Sequence, residues 1–452
     1  MIKLQNKHKK RKKESREKLL YKDTMFAADS ATAAIKNSIN SNFIIPFALA
    51  IGTPASFIPM ISTAPELIGG FFQLFVSKLM KIVKNRKLLI VLTSAIDAVL
   101  WIPIMLVPFF FNNNYYVLLG LILLQAVSLS ILRPIYNSVL SDFIPRKKRG
   151  KVLSRINKIS SAVSLTSTLI FGFLLMSLDS INPVIGFMII FGFAFFSRTI
   201  SAFLKSTYKD TGKITDEKPY SIFKFTRNLR KNKFGNFVLF ASLFSLSVGV
   251  SAPFFPVYML QSLKMDYFTY TLINGAAIIS SFFILNRWGK DLDKRGSKKI
   301  LEISSFIIPL GPILWAVVKD PIGLFIIQLL SGAAWSAYSL SSSNFIMETS
   351  NRKNRLQFTS YFYFYTGVFA FIGAIIGGFL VHIFAQPDMA KTYVVIFAIS
   401  GILRLMTAGY FIPIISEEYV EDHVWEGRMA KRVIGVHGQE GLDFMYIPRK
   451  KE

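Results

Sequence analysis

The sequence predicts an all-α polytopic membrane protein, with about twelve transmembrane helices in two six-helix bundles related by a pseudo-two-fold axis. Three observations predict it. The 452 residues are 52% hydrophobic and only 17% charged, with 43 Phe and a mean hydropathy of +0.44, a surface that water does not solvate in a soluble domain. Apolar runs of roughly 20 residues, enough to cross a bilayer as helix, recur along almost the whole length. The second half of the chain also repeats the first.

Taken in order, residues 1–24 form a basic tail with Lys7, Lys9, Lys10, Arg11, Lys12, Lys13 and Arg16. Such a segment is too charged to fold alone and is expected to lean on anionic lipid from the cytoplasm. The first bundle occupies 25–205. Its first helix runs from near Ala27 to Gly52 and turns at Thr53-Pro54, the second ends by Lys81, and the next four lie near 87–111, 115–141, 152–178 and 182–205. A polar, basic linker spans 206–233, with Gly212 and Pro219. The second bundle, 234–416, has helices near 234–261, 267–288, 299–318, 321–347, 356–384 and 391–415, and a mixed-charge tail covers 417–452.

Loop charge sets the orientation. Lys81, Lys84, Arg86 and Lys87, then Arg146, Lys147, Lys148 and Arg149, then the linker, the turn after Gly289, and Arg352, Lys353 and Arg355 all fall on one side. The other side carries Asp179, Asp266, Asp320 and Asp388, with Lys264, Lys319 and Lys391. Both termini are therefore expected in the cytoplasm. The net charge of +27 is accounted for by these connections, so nucleic acid is not an expected partner.

The repeat has a constant offset of 206 residues. Asp142, Arg146, Lys147 and Arg149 become Glu348, Arg352, Lys353 and Arg355; Gly172-Phe173-Leu174 becomes Gly378-Phe379-Leu380; Phe191 and Arg198 become Phe397 and Arg404. Pro46-Phe47 and Pro253-Phe254 align with an offset of 207. Six helices followed by six in the same orientation is a parallel repeat about an axis along the membrane normal.

The stretch Gly289 to Lys299 is short, charged and bounded by glycine between two apolar runs. With Gly289, Asp293, Gly296, Lys298 and Lys299 in order, it resembles the signature loop of the major facilitator superfamily, Ser297 standing where the family usually has Arg or Lys. Ser141-Asp142-Phe143-Ile144-Pro145 followed by Arg149-Gly150 looks like the family's connection between its fourth and fifth helices. In the first-half copy of the signature loop, Ser77 replaces the Gly and Lys81 the Asp. The resemblance covers about 25–416. It implies a multi-pass protein of the cell membrane, a monomer, that moves a small organic solute by alternating access. It further implies that Gly289, Asp293, Gly296, Lys298, Asp142 with Arg149, and Glu348 with Arg355 act as conformational latches, or equally that they only stop helices at the interface. The fifth helix, Ile159 to Met176, has Gly172 and no Pro, which departs from the drug–proton antiporters of that superfamily.

Ionisable groups inside apolar runs cost at least about 2.5 kcal/mol each at the bilayer centre, and so are functional candidates. Asp97 interrupts the third helix and either holds a coupled proton or makes a structural polar contact. Arg133, about 13 Å of helical rise into the membrane from Asp142, either clamps an anionic group or bonds another helix. Lys36, with Asn37, Asn40 and Asn42, forms a polar stripe on the first helix, although Lys36 is also able to snorkel to the interface. Arg198 and Arg404, as symmetry mates, read as structural, and Asp29 reads as interfacial. Asn274, Trp335, Tyr338, Asn344, Tyr361, Tyr363 and Tyr365 are further lining candidates. There is no Cys, and the four His show no ligand spacing, so neither disulfides nor a metal cofactor are expected. No nucleotide-binding loop and no nucleophile–base constellation is present, so an enzyme is not expected. The driving force is then a proton gradient or the solute's own gradient. The alternative reading is a protein of the same fold that binds a ligand or docks a cytoplasmic partner without transport.

Overall fold

The computed structural model describes residues 2–111, 113–143, 149–179, 181–208, 221–349 and 355–415, with side chains from Thr24 onward except at 137–138, 140–155 and 355–356. Its described residues form twelve long helical passes. The first six are α1 (Ile2–Ala50), α2 (Ile58–Gln73, continued by Val76–Val83), α3 (Arg86–Phe110), α4 (Tyr115–Phe143), α5 (Arg149–Asp179) and α6 (Pro183–Ser206). A short linker helix, Ile222–Arg227, leads to α7 (Lys233–Ser262). A long run follows that divides at Gly296 into α8 (267–295) and α9 (297–317), then α10 (Pro321–Thr349), α11 (Arg355–Ile383) and α12 (Met389–Phe411). Asn85, Asn182, Asn232, Asp266 and Asp388 each accept a hydrogen bond from a first-turn backbone N–H and so start α3, α6, α7, α8 and α12.

Two features differ from the sequence expectation. The basic tail continues α1 as helix from Ile2, because extending an existing helix avoids the unfavourable nucleation step that an isolated charged segment faces. The signature stretch is not a loop. Gly289 through Arg295 stay helical, and the chain turns at Gly296 alone, whose φ of 81° and ψ of 166° suit only glycine. Alternating Lys290, Asp291, Asp293 and Lys294 are compatible with a helix surface, so charge there did not mark a break.

The two bundles pack as a symmetric pair. Within them α1 lies against α5 and α6 as α7 lies against α11 and α12, and α3 against α6 as α9 against α12. Between them α2 crosses α11 while α5 crosses α8, which is one kind of contact related by the two-fold axis. A Cβ on Gly70 of α2 would lie 2.8 Å from the Tyr363 carbonyl oxygen, and one on Gly367 of α11 would lie 2.7 Å from that of Glu66. Glycine is therefore what lets these backbones touch.

The apolar core is distributed unevenly along the membrane normal. At the side away from the basic connections one continuous cluster draws on all twelve helices, with Phe43, Phe47, Trp101, Phe187 and Phe254 among its fully buried members. Toward the basic side the core splits. Phe225, Phe237, Phe244 and Phe345 pack within the second bundle, whereas Val76, Met80, Leu89 and Ile135 pack within the first. The buried core is thus continuous on one side and divided on the other, where Leu74 and Phe71 of α2 still reach the second bundle.

Candidate functional site

Spacing on α1 and α6 builds a polar seam inside the first bundle. Asp29 and Lys36 are seven residues apart on α1, and Arg198, Ser201 and Lys205 fall at i, i+3 and i+7 on α6, so each set shares a face. The faces meet, and α3 adds Asp97. Lys36 Nζ lies 3.3 Å from Asp97 Oδ1, and Arg198 Nε lies 2.5 Å from Asp97 Oδ2. Lys36 and Asp97 are fully buried and Arg198 nearly so. The Lys36 ammonium also sits 5.7 Å from the centre of the Trp101 ring, a favourable place for a desolvated cation.

One to two turns toward the basic side, Asp29 is the second carboxylate. Lys205 Nζ pairs with its Oδ1 at 2.5 Å, Ser201 Oγ donates to the same oxygen at 2.6 Å, and the Tyr208 hydroxyl donates to Oδ2 at 3.1 Å. Lys205 also donates to Ser201, and Arg198 Nη1 reaches Ser201 Oγ at 3.4 Å, joining the two groups. Asp29 is 1% exposed. The interfacial expectation for it is therefore corrected: α6 supplies Lys205 at the same depth, and pairing permits burial. Three cations face two carboxylates, and the surplus charge has no acid to meet it within the seam.

Arg133 does not join this cluster. It is exposed on α4, with Glu66 of α2 as its charged neighbour, and Lys36 also feels its field. Glu66 is exposed. Beside the seam, a cavity of about 360 Å³ lies between α1, α5 and α8, lined by Ser30, Asn37, Ser160, Ser161, Ser164 and Ile278 among others. It crosses the bundle boundary, and its lining mixes hydroxyl and amide groups with Ala33, Ala34 and Ile278, with no ionic side chain among them. Asn37, next to Lys36 in sequence, faces the cavity.

The remaining sequence candidates are placed as follows. Asn40 is half-buried on α1. Asn274 donates to the Tyr270 carbonyl of its own helix at 2.8 Å. Tyr338 stacks on Phe244 at 5.4 Å within the second bundle's core, and Trp335 abuts both. Tyr361 packs on Phe225 at 5.0 Å and the Tyr365 hydroxyl meets Thr226 Oγ1 at 2.5 Å, so both hold the linker helix. Of the latch set, Glu348 accepts from Ser297 Oγ at 3.1 Å and Asn344 Nδ2 at 2.6 Å, tying α10 to the first residue of α9. Asp293 is exposed. The side chains of Asp142, Arg149 and Arg355 lie outside the described residues.

Sequence reasoning missed Glu66 and Lys205. Glu66 had a signal, an acid inside the second apolar run. Lys205 had the i, i+7 spacing to Arg198, hidden because it also reads as the basic end of a helix.

The sequence matches the Major Facilitator Superfamily over residues 30–318 and again over 237–424. The chain belongs to that superfamily. No curated protein sequence matches it. Among solved structures, this superfamily member resembles a point mutant of the nucleoside transporter NupG with a TM-score of 0.67 at 14% identity, over 87% of this chain and 99% of that one. It resembles an auto-inhibited POT family peptide transporter with a TM-score of 0.70 at 11% identity, over 88% and 98%. The E. coli fucose:proton symporter FucP follows with a TM-score of 0.54 at 14% identity, over 86% and 99%. Membership makes the chain a multi-pass membrane transporter rather than an enzyme.

Proposed function

We propose that this protein is a secondary transporter that carries a small polar organic solute across the cytoplasmic membrane by alternating access, coupled to protons, with both termini in the cytoplasm. One observation carries the reading: a cavity between the bundles, lined by serines and Asn37 among small apolar residues, lies on the same helix, α1, as a buried cluster in which one carboxylate faces two cations. A cavity of that size and lining suits a solute rich in hydrogen-bonding groups. A charge cluster that is desolvated and unbalanced suits a group that gains and loses a proton.

The balance also selects the group. Arg198 cannot give up its proton, and with Asp97 it already forms a neutral pair. Lys36 is the supernumerary cation, and neutralising it leaves that pair intact. Lys36 is therefore the proton carrier in this reading, and Asp97 its anchor. Arg133 and Glu66, both exposed and electrostatically coupled, serve in this reading as the charged partners of an entering solute. The basic connections supply the orientation, and a fucose:proton symporter among the structural relatives is in keeping with the coupling.

Counterflow in proteoliposomes with a panel of labelled amino acids, sugars, nucleosides and organic anions tests the function. Saturable exchange of one class is expected. Accumulation driven by a pH gradient, abolished in Lys36→Gln while counterflow persists, is the expected signature of the coupling. Counterflow without any response to a pH gradient overturns the coupling and leaves transport standing. Absence of exchange, together with saturable ligand binding, favours the non-transporting reading.

A further inference from the structure

A second cavity, of about 330 Å³, lies in the fork between α8 and α9. Arg287, Trp288, Asp291 and Arg295 line its α8 arm, and isoleucines of both arms form its floor. It is separate from the solute cavity, whose α8 contribution is Ile278. Arg287 and Arg295 are exposed, and among the described residues neither forms an ion pair, even with Asp291 beside them. Between residues 287 and 299 six Lys and Arg stand against two Asp, so an anion is favoured there. The Trp288 ring is half-buried and its Nε1 donates to the Ala333 carbonyl at 3.0 Å, the amphipathic placement of an interfacial tryptophan. Just deeper along the two arms, Phe283 is 75% exposed and Phe306 is 41% exposed, and in a membrane helix such rings face hydrocarbon.

We propose that this fork seats the phosphate headgroup of an anionic phospholipid, with Arg287 and Arg295 on the phosphate and the acyl chains along Phe283 and Phe306. Guanidinium recognises phosphate oxygens through paired hydrogen bonds. The two exposed phenylalanines decide for a lipid over free phosphate, because a free ion makes no use of them. A lipid held here grips both arms of the Gly296 turn, next to the Ser297–Asn344–Glu348 bonds. It thereby links membrane charge to the connection between α8 and α9.

The test uses the full chain in neutral nanodiscs titrated with phosphatidylglycerol carrying brominated acyl chains, reading tryptophan quenching. The expected result is a saturable quenching component, absent with brominated phosphatidylcholine and absent in Trp288→Phe. In Arg287→Gln/Arg295→Gln, which keeps Trp288, half-saturation is expected to move up by about tenfold or more, since a basic residue near an anionic surface contributes about a factor of five. Lys78→Gln/Lys87→Gln, at another basic connection, is expected to leave the component unchanged. Equal quenching by both lipids, or an unaltered titration in the double arginine variant, overturns the site. Thermal stabilisation in detergent by inorganic phosphate equal to that by phosphatidylglycerol assigns the fork to free phosphate and overturns the lipid.

Discussion

Arg198 and Arg404 occupy the same place in the two halves, 206 residues apart, yet among the described residues only Arg198 meets a carboxylate. Arg198 lies against Asp97, whereas Arg404 Nη2 donates to Ser251 Oγ at 2.8 Å and reaches the Val248 carbonyl at 3.5 Å. Both arginines are buried. The position of Asp97 in the second half, with the same offset, is Ile303. The pseudo-two-fold axis therefore relates an ion-paired seam to one whose arginine meets only hydroxyl and carbonyl groups, and the site chemistry is concentrated in the first bundle.

That asymmetry sets the cost of substitution. Asp97→Ala leaves Lys36 and Arg198 buried together without an anion, and breaking a buried pair from one side costs about 3–5 kcal/mol. A large fall in the thermal midpoint of the purified protein is expected. Adding Lys36→Met to Asp97→Asn removes one of the two stranded cations, so the double variant is expected to be more stable than Asp97→Asn alone. A thermal unfolding cycle over the four proteins measures this, and additive effects would sink the assignment of one coupled cluster.

Arg404 answers differently. Because no acid balances it, Arg404→Met removes a desolvated charge while keeping an unbranched side chain of similar reach. Replacing buried charge by apolar volume is often neutral or stabilising. A thermal midpoint equal to or above that of the parent is expected, in contrast to the large loss for Asp97→Ala.

Composition and loop charge made the twelve passes legible, and the 206-residue offset made the two bundles legible, because spanning length and orientation are set by local residue content. The site was legible only in part. Asp97, Lys36 and Arg133 stood out as charges in apolar runs, but periodicity does not say which helix faces meet, so the pairing of Asp97 with Lys36 and Arg198 rather than with Arg133 emerged only from packing. Asp29 was misplaced for the same reason. Its depth depended on Lys205, 176 residues away, and no local signal reports that.

Gly296 is the one residue on which the α8–α9 turn depends. Its φ of 81° with ψ of 166° lies where a Cβ clashes, at a cost of about 1–3 kcal/mol. Gly296→Ala is expected to lower stability by that amount and to displace Ser297 from Asn344 and Glu348. Gly289→Ala, a change within continuous helix with open space around the glycine, is expected to be neutral or slightly stabilising. Equal effects of the two on thermal unfolding would contradict the placement of the turn.

Asp266 gives a pH dependence whose sign follows from its contacts. Partial burial opposes ionisation, but bonds from the Thr269 hydroxyl and the N–H groups of Thr269 and Phe268 outweigh it and hold the carboxyl below its usual range. A carboxyl with a depressed value contributes stability that is complete above the ordinary carboxylate range and is lost as pH falls through the depressed value. Asp266→Ala is expected to cost about 0.5–2 kcal/mol at neutral pH. Asp266→Asn, still able to cap α8, is expected to lose little at neutral pH and to remove this acid-side contribution, as read from unfolding midpoints across acidic pH.

The last prediction concerns the equilibrium between conformations. In this structure α2 and α11 touch through Gly70 and Gly367, while the core is continuous only on the side away from the basic connections. Gly70→Val inserts a branched side chain against the Tyr363 carbonyl and its helix. Overpacking of that kind costs about 1–3 kcal/mol, and the cost falls only on conformations in which the two helices are in contact. The population is therefore expected to shift away from this state by roughly 5- to 140-fold, at about 1.4 kcal/mol per tenfold. The absence of Cys gives a clean probe: a single Ser164→Cys places one thiol in the solute cavity. Its reaction with a membrane-impermeant maleimide applied from the basic side is expected to slow when Gly70→Val is added. Gly192→Val, at a glycine with nothing within 4 Å, serves as the control and is expected to leave the rate unchanged. Equal labelling rates in all three proteins would show that the α2–α11 contact does not distinguish the conformations.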